Sequence, residues 1–413
     1  MFSLQNHFSQ QTVFSTGLAL FLVVGTMVRS GASSIAFLLF LLACFWLYRG
    51  SDAIVKLKKS ERVWLYSIVL MNVAVLISSY ENFSFDLSAI DALTRFLFAI
   101  PVYFLVSRIG LNLQILLTGG AVAAIAMGCY AYYQIEILGF NMAVGMTDHN
   151  YFGQLALLST LIAFFGLSYV SNNRERLFFA VASLLGLYAI LAASSRGVWI
   201  AIPAIVLLVF KYHFLHASSI KKMFFLTIFL MSITVAYLSN VLSLKDRVNT
   251  VIAETYHYFV DNQVGGSAGL RLEMWRASLL LIKDNYGLGA GNLGYTKGID
   301  QLLEENKVSQ ALQRFTVEPH NYYLKTLIGQ GIIGIVLLFL IILIPMRSFF
   351  HHVRSRSKQV RINALLGISI LLAYMDFMLT NTTLDVQLMS VFLAFTLFPL
   401  FAHLQFLTRH RQT

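Results

Sequence analysis

LFFAVASLLGLYAILAASSRGVWIAIPAIVLLVFK, residues 177–211, decides the fold. Of the 34 residues from Leu177 to Phe210, one is charged, Arg196. A helical span takes about 20 apolar residues. The run therefore holds two spans, parted at Ser194-Ser195-Arg196-Gly197, or else one continuous apolar stretch with an arginine buried in it. Either way the chain crosses a membrane. Arg196 needs an explanation, because a charge at such depth is costly unless it faces a cavity, a partner or the interface. A plain interfacial anchor is the competing account.

The same pattern recurs along the chain. Apolar runs lie near 13–29, 32–48, 63–79, 92–107, 110–133, 150–170, 177–194, 197–211, 222–241, 320–346, 362–380 and 386–407. Hydrophobic residues make up 58% of the 413 and charged residues 12%, where soluble domains carry about 25% charged. The fold class expected is an all-α polytopic membrane protein with about 12 transmembrane helices. Residues 1–241 hold the first nine spans and 320–413 the last three with a basic cytoplasmic tail. Residues 242–319 form one loop subdomain with short amphipathic helices. Cys44 and Cys129 fall in apolar runs and read as packing residues rather than a disulfide or a metal pair. No cleavable signal peptide is expected before the first span.

The net charge of +11 suggests nucleic acid until its distribution is examined. Eighteen of the 30 Lys and Arg fall in alternate short segments, such as Arg49 to Arg62, Arg347 to Arg361 and the tail. The segments 80–90, 135–149 and 381–386 carry none. Positive charge accumulates on the cytoplasmic side, so both termini are expected in the cytoplasm and the long loop outside. No nucleic acid is implied. There is no ATP on the outer side, which excludes kinases and most nucleotide-driven chemistry there.

Four features of the long polar interruption bear on chemistry. Residues 267–283 have helical apolar spacing, and Arg271 and Arg276, five residues apart, are offset by about 140° and cannot share a face. Arg271 lies on the side of Trp275 and Ser278; the alternative is that both arginines snorkel to headgroups. Gly289-Ala290-Gly291-Asn292-Leu293-Gly294 spells a dinucleotide fingerprint but lacks the strand and βαβ unit that motif needs. A tight turn accounts for it, or backbone amides cradling a phosphate or sugar. His320, after Pro319, suits the first turn of a helix, where a neutral imidazole can serve as general base. Glu318 either orients it or takes the base role, and Asn321 adjoins it; capping a span is the plain alternative. Asp148-His149 reads as a helix cap, and Asp376 as a partner of Lys325 or Arg95. Gly329, Gly331 and Gly334 read as helix-packing residues. No metal spacing is evident.

At these residues the chain resembles the bacterial O-antigen ligase family. Ser195-Arg196-Gly197-Val198-Trp199, Arg271-Leu272-Glu273-Met274-Trp275-Arg276, and Gly287-Leu288-Gly289-Ala290-Gly291-Asn292 come in the expected order. His320-Asn321, nine residues, then Gly331-Ile332-Ile333-Gly334 complete the pattern H-[N/S/Q]-x9-G-x-x-G. The resemblance implies transfer of a glycan from an undecaprenyl-diphosphate-linked donor to a lipid A-core acceptor. The site would be periplasmic, in the bacterial inner membrane among its lipids, without a cofactor and with inversion at the anomeric carbon. It makes Arg196, Arg271 and His320 the catalytic set. Arg276, Glu318, Asn321, Gly289, Gly291 and Trp275 are the expected substrate contacts. An O-antigen polymerase uses the same donor, and Arg276 followed by ten residues and Gly287 also fits a spacing of that kind. A secondary transporter suits twelve spans but should show internal repeats, and none is visible. The oligomeric state is left open.

Overall fold

The computed structural model describes residues 2–50, 56–81, 84–85, 87–213, 244–285, 287–314 and 318–409. The expected span near 222–241 lies outside them. The chain folds as an all-α polytopic membrane protein. The first helices are α1 (Phe2–Met27), α2 (Gly31–Arg49), α3 (Lys59–Ser78), α4 (Leu87–Ile109) and α5 (Leu113–Tyr132), which ends in a π turn at Tyr133–Ile137. Next come α6 (His149–Tyr169), α7 (Asn173–Ala193) and α8 (Ala201–His213). The polar stretch supplies α9 (Leu244–Val260), α10 (Gly266–Asp284) and α11 (Gly294–Glu304). The chain closes with α12 (Tyr322–His352), α13 (Lys358–Thr380) and α14 (Gln387–Arg409). The only strands described are two of two residues each, Tyr80–Glu81 pairing with Ser84–Phe85.

Among the described residues nine helices are long and apolar enough to cross a membrane. The α8 segment is not one of them: Gly197–Tyr212 is a shorter apolar helix. Its approach is irregular. Ser194 turns left-handed (φ 57°), Arg196–Trp199 is a 3-10 turn, and only then does α8 begin. The expected split of residues 177–211 is therefore real, and it falls at the arginine.

Helices α13 and α14 form the centre, each with 83% of its spanning window buried. The sequence of α14 requires this: residues 389–405 are buried without a break, and a helix apolar all round has no solvent face to offer. At the periphery α2 exposes Phe37, Leu38, Leu41 and Phe45, an arrangement that suits hydrocarbon. A second, smaller core gathers Met274, Leu281, Tyr295, Ile299 and Leu312 from α10, α11 and the turn Gln310–Arg314 against Ile328 of α12. It gives the polar stretch its own packing, independent of the bundle's.

The two ends of the bundle are recognisable by their contacts. At one end Arg409 Nη2 meets buried Glu61 at 2.6 and 2.8 Å, Arg108 donates to the Gly50 carbonyl, and the Leu111 amide donates to His403 Nδ1. At the other lie the α3 terminus, the glycine-rich loop, His320 and the α13–α14 connector.

Candidate functional site

Three interruptions of regular helix carry the motifs singled out by sequence. The first is the α7–α8 break. Gly153 of α6 lies against Ser195, with an added Cβ only 3.1 Å from the Ser195 Cβ, and Ser195 Oγ donates to Asn150 Oδ1 at 3.0 Å. A Cβ on Gly197 would fall 2.6 Å from Thr380 Oγ1, so the 3-10 turn rests directly on the end of α13. The Ala201 amide donates to Asp376 Oδ2 at 2.9 Å. Asp376 is thus a cap for α8, and not the partner of Lys325 or Arg95 expected from sequence. Lys325 pairs with Asp385, and Arg95 with Asp91. The backbone of Arg196 opens the 3-10 turn; its side chain lies outside the described residues.

The second interruption lies inside α12, where Gly331 adopts φ 66°, ψ −159°. The glycine-rich loop fills the break. Ala290 and Gly291 amides donate to the Ile328 and Gly329 carbonyls at 2.6 and 3.1 Å, and the Ile332 amide donates to the Gly287 carbonyl at 2.9 Å. Three backbone groups at the kink thereby find partners in the loop, as a helix at membrane depth requires. A Cβ on Gly331 would lie 2.4 Å from the Leu288 carbonyl oxygen, and one on Gly289 2.8 Å from that of Gly329. Gly289 and Gly291, expected at the substrate, pack here against α12: Gly289 approaches its backbone closely, and the Gly291 amide is occupied. Gly331 likewise serves loop docking rather than helix–helix packing. Asn292 ties the clasp to α3, its amide donating to the Ser78 carbonyl at 3.0 Å.

The third is the α13–α14 connector. His320 does not open a helix as expected. It precedes α12 with φ 47°, and Asn321 is the N-cap, its Oδ1 accepting from the Leu324 amide at 3.1 Å. Asn321 is 4% exposed, so it shapes the helix start rather than meeting substrate. His320 Nδ1 lies 3.2 Å from Asn381 Oδ1 and 3.3 Å from Glu318 Oε1. The other Glu318 oxygen accepts from the Thr382 hydroxyl. Asp148 caps α6 as expected, accepting from the Asn150 amide at 2.6 Å.

A cavity of about 410 Å³ joins the first region to the extramembrane helices. Gly197, Trp199, Thr380, Ser267, Arg271 and Trp275 line it, with apolar residues of α9 opposite. The indole N–H groups of Trp199 and Trp275 are buried without a partner. Such a group costs roughly 1–3 kcal/mol. His320 is not on this wall; it adjoins it through Asn381, the residue after Thr380. The structure therefore brings Arg271, Trp275 and two residues of the 3-10 turn that follows Ser195, Gly197 and Trp199, to one cavity, with His320 adjoining through Asn381.

Arg276 is elsewhere. Its guanidinium donates to both Glu273 oxygens at 3.1 and 3.3 Å and to the Lys307 carbonyl at 3.3 Å. Glu273, buried, also accepts from the Tyr258 hydroxyl at 2.8 Å and the Ser309 amide at 2.9 Å. Burial, with this carboxylate, pushes the Tyr258 hydroxyl up to about 12 and keeps it a donor. Arg276 thus holds the extramembrane subdomain together and is not a cavity residue. Sequence reading missed Trp199, Thr380, Asn381 and Thr382. Trp199 closes a quoted motif but was given no role there; the other three carry no local signal.

Two comparisons bear on this geometry. A protein of Haemophilus influenzae described only as uncharacterized is 26% identical over 285 residues, 68% of this chain and 70% of its own length. A family model described as O-antigen ligase matches residues 179–339, which run from α7 through the 3-10 turn, the extramembrane helices and the α12 kink. The segment carrying the α7–α8 break, Arg271, the glycine clasp and His320 is thus the matched one, and over it the chain is similar to the O-antigen ligase family.

Proposed function

We propose that the protein transfers O-antigen glycan from undecaprenyl diphosphate to the lipid A-core oligosaccharide on the periplasmic face of the inner membrane. The observation that carries the reading is the shared cavity: a cation from the loop, Arg271, faces the Arg196 turn, and His320 stands at its Thr380 edge. The mostly apolar lining suits a polyprenyl chain. Arg271 and Arg196 neutralise the diphosphate as the sugar–phosphate bond breaks. Charge-assisted, often bidentate guanidinium contacts suit that leaving group.

His320 takes the proton from the attacking hydroxyl of the core sugar. That oxygen forms the new glycosidic bond as the diphosphate departs with the electron pair, and direct displacement inverts the anomeric carbon. The side of the membrane follows from charge: the site end of the bundle holds the connectors poor in Lys and Arg. Residues 1–241, 242–319 and 320–413 then act as a bundle half, a roof and a second bundle half carrying the base.

Purified His320→Ala should lose 10²–10⁴-fold in transfer from a lipid-linked glycan to rough lipopolysaccharide, the range a positioned general base supplies. Transfer at the wild-type rate would remove the base assignment. Cells lacking the protein should accumulate polymer on the lipid carrier and carry bare core. Core bearing one repeat unit would point to a polymerase instead.

A further inference from the structure

We infer that Asn381 and Thr382, in the short connector between α13 and α14, are positioning residues that fix the tautomer and orientation of His320. The inference rests on the proposed role of His320 as base. An amide oxygen can only accept, so Asn381 Oδ1, 3.2 Å from His320 Nδ1, requires a hydrogen on that nitrogen. The direction of the amide is set independently: the Thr382 backbone N–H donates to the same Oδ1 at 3.0 Å. With Nδ1 holding its hydrogen, the lone pair of the neutral ring falls on Nε2, and the hydrogen bond at one nitrogen decides which nitrogen is the base.

Glu318 Oε1 lies 3.3 Å from the same Nδ1 and strengthens the effect. Its other oxygen is held by the Thr382 hydroxyl, so the carboxylate cannot swing away. Asn381 is 6% exposed and Thr382 fully buried, while the His320 side chain is 32% exposed. The bracket is sealed and the base open, as second-layer support for a reacting group should be. The left-handed backbone at His320, φ 47°, is costly for a non-glycine residue, and the bracket is what holds it there.

The test measures kcat and KM with an undecaprenyl-diphosphate-linked glycan and rough lipopolysaccharide in detergent. Asn381→Leu keeps the side chain's size and removes the acceptor. We expect kcat to fall about 10–100-fold, a part of what a positioned base supplies, with both KM values within about twofold. Asn381→Asp, which restores an acceptor oxygen, should recover most of the loss. Thr382→Val should lower kcat by a smaller factor, and Thr382→Ser should restore it. If Asn381→Leu does not fold, the Thr382 pair alone decides. Wild-type kcat in Asn381→Leu or Thr382→Val, or a loss that the rescuing residues leave in place, overturns the inference. If His320→Ala is fully active, the functional reading itself fails. If His320→Ala is inactive while Asn381→Leu and Thr382→Val are normal, only the bracket fails.

Discussion

At one end of the bundle Glu61 is buried and fully used: it accepts from Arg409, from the Tyr103 hydroxyl and from the Lys58 amide at 2.7 Å. Lys58 reaches Gln405 at 3.0 Å, and Gln405 reaches Ser348 at 3.1 Å. At the other end Trp199 and Trp275 have buried N–H groups with no acceptor, and Arg271 lines a cavity of about 410 Å³. Both ends are polar. The first matches a buried carboxylate with three protein donors, Arg409 Nη1 alone staying without a partner, whereas the second sets a guanidinium on the lining of a cavity. Closed networks hold helices together; open ones are where a ligand completes the count.

The comparison is broken or sharpened by substituting one basic residue at each end. Arg409→Met should cost about 3 kcal/mol of stability, because it strips a buried carboxylate of its cation. The readout is a lowered unfolding midpoint in detergent, with transfer per folded molecule retained. Loss of catalysis without loss of stability would mean that the closed end takes part in the chemistry. Arg271→Lys should do the reverse. A lysine keeps the charge but not the planar fork, and kcat/KM should drop about 100-fold, near 2.7 kcal/mol, with the midpoint little changed. If Arg271→Lys transfers normally, the cavity is not where the diphosphate sits.

What was legible in the sequence follows the same division. Hydrophobic runs mark spans because a bilayer demands them, and eleven of the twelve expected runs coincide with described helices within a few residues at most ends. The amphipathic helix expected over 267–283 runs Gly266–Asp284. The loop's glycines read as a turn; that they clasp Gly331 of α12 is a tertiary fact, since a positive φ leaves no trace beyond glycine itself. His320 looked like a first-turn residue because Pro and an apolar run surround it. The helix instead starts at Tyr322, since Asn321 supplies the cap. Asn381 and Thr382 stayed invisible for a different reason. They are uncharged residues in a short connector, about 60 positions from the histidine beside them, and nothing local distinguishes them from ordinary helix ends.

Arg276 gives the finest test, because it sits at the open end yet is built like the closed one. It shares α10 with Arg271, but the two point to different faces, and its partners are all protein: Glu273 and the Lys307 carbonyl. Arg276→Ala leaves Glu273 with the Tyr258 hydroxyl and the Ser309 amide. Its own side chain is 55% exposed, so water reaches the gap it leaves, but Glu273 is buried and the loss should be about 1–3 kcal/mol. Transfer should stay within about twofold of wild type, while the unfolding midpoint drops by several degrees. An Arg276→Ala defect as deep as that of Arg271→Lys would put both guanidiniums on the substrate. The closed pairing seen here would then have to open during the reaction.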